Sequence, residues 1–220
     1  MSRSRRKKRR NRSRRAGLTL SWSHLEIARG HDGLLRGKPE PVIVSAVYQL
    51  SVQQARLGGR WIHRCQCADN RFPANAPLAR PAEDAKQNVT VSTSGNSVFL
   101  LLWLAIEDDN GNLVQEAYAK LERVKDIFLC PVASIDPAPL FLSYEGIRDL
   151  TLREPFALDL LIEGQHLSEQ KAGDDWVGCM AAVFPADKAY FEDLRVHFLS
   201  ADERNDWTLP ATIRYRSPKG

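Results

Sequence analysis

Apolar and polar positions alternate over most of residues 18–27, with Leu18, Leu20, Trp22, Leu25 and Ile27 set against Thr19, Ser21, Ser23 and Glu26. That is the period of a strand with one buried face. Arg29-Gly30-His31-Asp32-Gly33 and Gly37-Lys38-Pro39-Glu40-Pro41 punctuate the pattern as loops. Val42-Ile43-Val44-Ser45-Ala46-Val47-Tyr48 is rich in β-branched residues and predicts a buried strand. Gly58-Gly59 predicts a turn leading into a second alternating strand over residues 60–67. Residues 68–96 are rich in Pro, Ala, Asn and Ser and show little period, which predicts a long loop or insertion.

Residues 98–106 form an apolar run that predicts a core strand, followed by Glu107-Asp108-Asp109-Asn110-Gly111-Asn112. An Asn-Gly pair between apolar runs predicts a hairpin, with its return strand over residues 113–121. Residues 131–150 hold three prolines and read as irregular. Further strands are predicted over 156–162 and 179–184, and one short helix over 186–194. Closing strands follow at 194–199 and 207–215. Several short strands with turn signals and scarcely a helix predict an all-β antiparallel β-sandwich, jelly-roll-like in outline, with long loop insertions. No internal repeat is visible, so residues 17–220 read as a single domain.

Charge changes the picture at the N-terminus. The whole chain carries 31 Lys+Arg and 27 Asp+Glu, a net +4. Arg3, Arg5, Arg6, Lys7, Lys8, Arg9, Arg10, Arg12, Arg14 and Arg15 all fall in the first fifteen residues, where no acid occurs. Without them the body holds 21 basic and 27 acidic residues, about −6. Residues 1–16 therefore read as a disordered arginine-rich arm ahead of a mildly acidic globule. Guanidinium groups pair bidentately with phosphate and stay charged at any physiological pH. The arm thus predicts a nucleic-acid partner, RNA or DNA. The same composition admits a nuclear localisation signal, an anionic-membrane anchor or a docking tail for an acidic protein.

Several classes are disfavoured. Four cysteines in 220 residues do not make a disulfide scaffold. The longest apolar run, residues 98–106, is too short to span a bilayer. No secretory signal follows the charged start, so the expectation is an intracellular protein, cytoplasmic or nuclear, neither secreted nor transmembrane. The sequon at Asn88 carries no weight without export. A mitochondrial transit peptide is disfavoured because the block from Arg5 to Arg10 leaves no apolar helical face.

For catalysis, the chain lacks a Gly-x-Ser-x-Gly elbow, a P-loop, a Gly-x-Gly-x-x-Gly turn and a His-Glu-x-x-His helix. His24, His31, His63, His166 and His197 are scattered singly. A non-enzymatic protein is expected. His63, Cys65 and Cys67 would share one face of a strand, and Cys130 or Cys179 would complete a tetrahedral zinc site. The spacing is no known zinc signature, and inward cysteines on a strand are usually core; zinc is not expected. Glu107-Asp108-Asp109 with Asn112 is read as a solvated turn rather than a cation site.

Three segments carry a likeness to a known family. Leu25-Glu26-Ile27-Ala28-Arg29-Gly30 through Gly37-Lys38-Pro39-Glu40-Pro41-Val42 is one. Leu158-Asp159-Leu160-Leu161-Ile162-Glu163 with Asp174-Asp175-Trp176-Val177-Gly178 is the second, and Trp207-Thr208-Leu209 with Ile213-Arg214-Tyr215 the third. Their order resembles the C-two domain family, the calcium- and phospholipid-binding β-sandwich. The resemblance covers about half of residues 17–216. It implies a C-two-like sandwich whose cation loops would offer Asp32, Glu40, Glu163 and Asp174. Gln165 stands where a second loop aspartate would be expected. Calcium takes six to eight oxygens, so this reduced set implies a weak or lost site and no required cofactor.

The function expected is a non-enzymatic structural or adaptor protein whose arm binds nucleic acid, as a coat or assembly component, with a homo-oligomer or larger assembly as partner. The alternative is a peripheral membrane module of C-two-like type, reading anionic phospholipid with weak or lost calcium dependence. Leu34-Leu35-Arg36, between Gly33 and Gly37, is the loop tip that fits that alternative.

Overall fold

A computed structural model describes residues 16–30, 39–51, 55–67, 78–83, 85–90, 97–109, 112–122, 140–142, 174–186, 189–200 and 203–216. In chain order the strands are β1 (Gly17–Trp22), β2 (Leu25–Arg29), β3 (Pro41–Ser51), β4 (Ala55–Cys67), β5 (Leu78–Pro81) and β6 (Ala85–Thr90). They continue with β7 (Ser97–Glu107), helix α1 (Asn112–Lys120), β8 (Leu140–Leu142), β9 (Asp175–Pro185), β10 (Tyr190–Leu199) and β11 (Asp206–Arg216). The fold is all-β, and every described ladder is antiparallel.

The strands form one ladder in the order β6-β1-β11-β2-β5-β4-β3-β7-β9-β8, with β10 on the other side of β11. β1 and β2 are one line of chain, interrupted at Ser23-His24, that runs the length of β11 from Gly17↔Arg216 to Ile27↔Trp207. β5 and β6 flank that line on its far side. These strands and β10 make the first layer. β4 joins β5 through Cys65↔Pro81 to Cys67↔Ala79, then runs along β3 into the second layer of β3, β7, β9 and β8.

Alternation explains why the layers face each other. Leu18, Leu20 and Trp22 of β1, Val196 and Phe198 of β10, and Trp207 and Leu209 of β11 are buried against Ile43, Phe99, Leu101 and Trp103 of the second layer. Each such side chain contributes roughly 1.5–3 kcal/mol by leaving water. β7 is buried at every position because its other face meets a second core. There Val44, Leu102 and Leu104 pack with Leu113, Val114, Ala117 and Leu121 of the α1 segment, and the Tyr48 hydroxyl donates to the Leu121 carbonyl at 2.9 Å.

Six sequence expectations are corrected. Residues 131–150, read as irregular, hold β8, and Glu107 and Asp108, read as a solvated turn, are buried. The Asn110-Gly111 hairpin with a return strand over 113–121 is instead a helix, α1. Both ladder sides of β7 are taken by β3 and β9, so no place remains for a returning strand. Leu113, Val114, Ala117 and Leu121 bury one helical stripe instead. The helix expected over 186–194 is replaced by β10, whose Leu194, Val196 and Phe198 point inward while Asp193, Arg195 and His197 point out and which pairs with β11 along its length. Residues 68–96 contain β5 and β6 rather than loop alone; Ala85 and Gln87 at inward positions conceal the alternation. Gly58-Gly59 is no turn but lies inside β4, where the register slips at Val47/Tyr48. A Cβ at Gly58 would meet the Val89 Cγ1 atom at 2.5 Å, so this close crossing of β4 and β6 requires glycine. The strand expected at 156–162 lies outside the described residues.

Candidate nucleic-acid interface

The arm cations, Arg3 through Arg15, lie outside the described residues. The described chain begins at Ala16, which is 3% exposed and part of the core. Gly17 then pairs with Arg216 on one side and Thr90 on the other. The arm is therefore rooted between two strands within the first layer, at the end where β11 finishes.

Strand register defines the outward face of that layer. Residues directly opposite in antiparallel strands share a face, and one row runs Phe191, Arg214, Thr19, Asn88. The next outward row is Asp193, Thr212, Ser21, Lys86. Thr19 donates to Asn88 Oδ1 at 3.0 Å and Thr212 donates to Asp193 Oδ1 at 2.7 Å. Where β1 and β5 break, the face hollows into an open groove of about 1070 Å³, lined among others by Ser21, Ser23, Arg80, Lys86, Arg195 and Thr212.

Ion pairing divides the described cations. Arg195 is held bidentately by Glu26, Arg60 by Glu122, and Arg64 by the buried Asp108. Arg29 and His197 both meet Asp206. The hydrogen bond from His197, opposed by burial and helped by Arg29, holds the Asp206 carboxyl below its ordinary range. Among the described residues, Arg80, Lys86, Arg214 and Arg216 meet no carboxylate. Those four exposed cations lie on the outward face of the first layer; Arg56, also exposed, stands apart from them at the start of β4, opposite Gln49 of β3. Arg214 stands 5.8 Å over the ring of Phe191, itself 58% exposed.

The cation-site residues divide differently. Asp32 and Glu163 lie outside the described residues. Glu40 and Asp174 come to the same end of the second layer, each one residue ahead of a strand, because Pro41 pairs with Glu107 and Glu107 with Asp175. Asp174 is 1% exposed, and its two carboxylate oxygens accept the amides of Asp109 at 3.0 Å and Leu113 at 2.9 Å. It thereby satisfies donors at the start of α1. Asp175 to Gly178 begin β9.

Cys65 and Cys67 face the core beside His63, and burial pushes the Cys65 thiol up to about 12. Cys65 donates to the His63 carbonyl at 3.8 Å and Cys67 to the Pro39 carbonyl at 3.7 Å. Burial likewise pushes Cys179 up to about 12; Cys130 lies outside the described residues. Among the described residues no three His, Cys, Asp or Glu side chains gather as metal ligands.

The sequence reading missed Arg80, Lys86, Arg214, Arg216 and Phe191. Arg214 and Arg216, two apart on a strand, carried the signal, since that spacing puts both on one face. Arg80, Lys86 and Phe191 come from β5, β6 and β10, which only the ladder brings to the same face. No family model matches the chain, and no curated protein matches it in sequence.

Proposed function

We propose that this protein is a non-enzymatic nucleic-acid-binding β-sandwich that acts as a structural or assembly component, gripping its ligand with the arginine-rich arm. The observation that carries this reading is the position of the arm's root. Gly17 is flanked by Arg216, on a face whose exposed cations Arg80, Lys86, Arg214 and Arg216 are not neutralised. The body is net acidic, yet the strand that follows the arm lies on a face carrying these cations. A ligand held by the arm meets attraction there. Phosphate contacts of this kind supply affinity without base preference.

The runner-up is an anionic-lipid module of C-two-like type, for which the sequence likeness and Leu34-Leu35-Arg36 speak. The two readings separate when the full chain and a form lacking residues 1–15 are each assayed against an oligonucleotide and against phosphatidylserine vesicles. The proposal expects arm-dependent, salt-sensitive oligonucleotide binding, with any vesicle binding equally salt-sensitive. Salt-resistant vesicle binding by the truncated body, with oligonucleotide affinity unchanged by truncation, would replace it with the runner-up.

A further inference from the structure

The geometry points to a second element of the same interface: we infer that the outward face of the first layer is a platform for single-stranded nucleic acid, on which Phe191 stacks a base while Arg214, Arg216, Lys86 and Arg80 take the backbone. This rests on the nucleic-acid reading above and adds to it a preference for unpaired strands.

Three observations converge on it. First, Phe191 is 58% exposed on a strand face rather than in a core, beyond Leu199 at 44% and Leu78 at 40%. An aromatic ring held on a sheet surface offers a flat apolar face that any base can cover. Second, its row neighbour Arg214 stands 5.8 Å over that ring, so the exposed face already holds a planar cation, which a stacking base would displace toward the phosphate joined to it. Third, the remaining cations continue away from this point. Arg216 adjoins the arm's root at Gly17, and Lys86 and Arg80 line the groove across β1. Neighbouring strands lie about 4.8 Å apart, so Phe191 on β10 and Lys86 on β6 are separated by roughly three such spacings. That suits a chain crossing the strands, with Ser21 and Thr212 hydroxyls beneath it. A duplex keeps its base faces stacked inside and cannot use the ring except at an end. The arm has no such restriction, because it contacts phosphates alone.

The test uses the full-length protein, a fluorescein-labelled oligothymidine and a blunt duplex of equal length, with anisotropy read at one fixed salt concentration. Phe191→Ala removes an exposed side chain and leaves the core intact. Its expected effect is a roughly tenfold loss of single-strand affinity with duplex affinity within twofold of wild type. In parallel, Phe191→Trp places a reporter on the surface, and the emission it adds to that of the wild type should be quenched by unlabelled oligothymidine. Unchanged single-strand affinity in the alanine variant together with an unquenched reporter would overturn the platform while leaving the arm's role standing. If the wild-type protein binds neither oligonucleotide, the underlying nucleic-acid reading fails instead. A blue shift of the reporter's emission on phosphatidylserine vesicles, without quenching by oligothymidine, would assign the face to a membrane and overturn the proposal.

Discussion

Gly17 stands directly opposite Arg216 in the β1–β11 ladder. The described chain thus begins beside the basic end of β11. In the proposed function, that adjacency sets what a ligand held by the arm meets next. A cationic segment rooted beside carboxylates would fold back onto them and lose its charge to the body. Here the nearest outward side chains on β11 are Arg216 and Arg214, while the acids lie farther along: Glu26 is paired with Arg195, Asp193 accepts from the Thr212 hydroxyl and keeps its charge, and Glu83 lines the groove.

Asp193 should therefore limit binding. Its carboxylate lies in the second outward row, across Thr212 and Ser21 from Lys86. Asp193→Asn keeps the acceptor for Thr212 and removes the charge. Oligonucleotide affinity should rise a few-fold at low salt, and the gain should vanish at high salt as screening takes over. A variant indistinguishable from wild type at low salt would place the phosphate path elsewhere.

Asp174 has a structural job that can be measured by urea denaturation. Asp174→Ala leaves the amides of Asp109 and Leu113 without their acceptor in a site that is 1% exposed. A loss of about 2–3 kcal/mol is expected, since a cap and a charge-assisted hydrogen bond disappear together. Added calcium should not restore stability to the variant.

The Asp174 contact also marks what was legible in the sequence. The alternation at Leu18, Leu20 and Trp22, and again at Leu209, Ile213 and Tyr215, declares two half-buried strands, and both are strands. The signals that failed were ambiguous in a physical sense. Leu113, Val114 and Ala117 suit a strand or a helix equally over so short a window, and the choice was made by β9 occupying the free side of β7. Residues 190–194 carry Tyr, Phe and Leu at spacings a helix would also accept, and only pairing with β11 selects the strand. Asp174 looked like a loop ligand because sequence shows a carboxylate but not the two amides that it faces. The outward cations were invisible because they come from β5, β6 and β11, far apart in the chain and neighbours only after the ladder forms.

Gly58 should tolerate no side chain. A Cβ there would lie 2.5 Å from Val89 Cγ1 and 3.2 Å from the Val47 carbonyl oxygen. Gly58→Ala should destabilise by about 1–3 kcal/mol through overpacking. Combining it with Val89→Ala should recover part of that loss, a non-additivity that a double-mutant cycle detects.

His63 predicts an acid-sensitive fold. Burial, against the weaker pull of Glu83, holds its imidazole below the ordinary value of 6.5. Nε2 lies 2.6 Å from the Gln87 amide nitrogen, which also donates to Ser45 at 2.9 Å. Because the unfolded chain takes up the proton more readily, this contribution is intact above pH about 6.5 and declines as pH falls below it. Thermal midpoints measured from pH 7.5 to 5 should drop in the wild type and drop less in His63→Gln. Parallel pH profiles would remove His63 from the account.

The most direct measurement of the central claim is the salt dependence of oligonucleotide binding by the full chain and by the form lacking residues 1–15. Engagement of about seven phosphates predicts a log–log slope near −6 on duplex DNA, with affinity falling roughly a thousandfold or more between 50 and 200 mM salt. Truncation should lower low-salt affinity by at least about a hundredfold and flatten the slope to the few contacts that the sheet face supplies. Equal affinities and equal slopes for the two forms would contradict the account, because they would put the binding energy in the acidic body and leave the arm without a part in it.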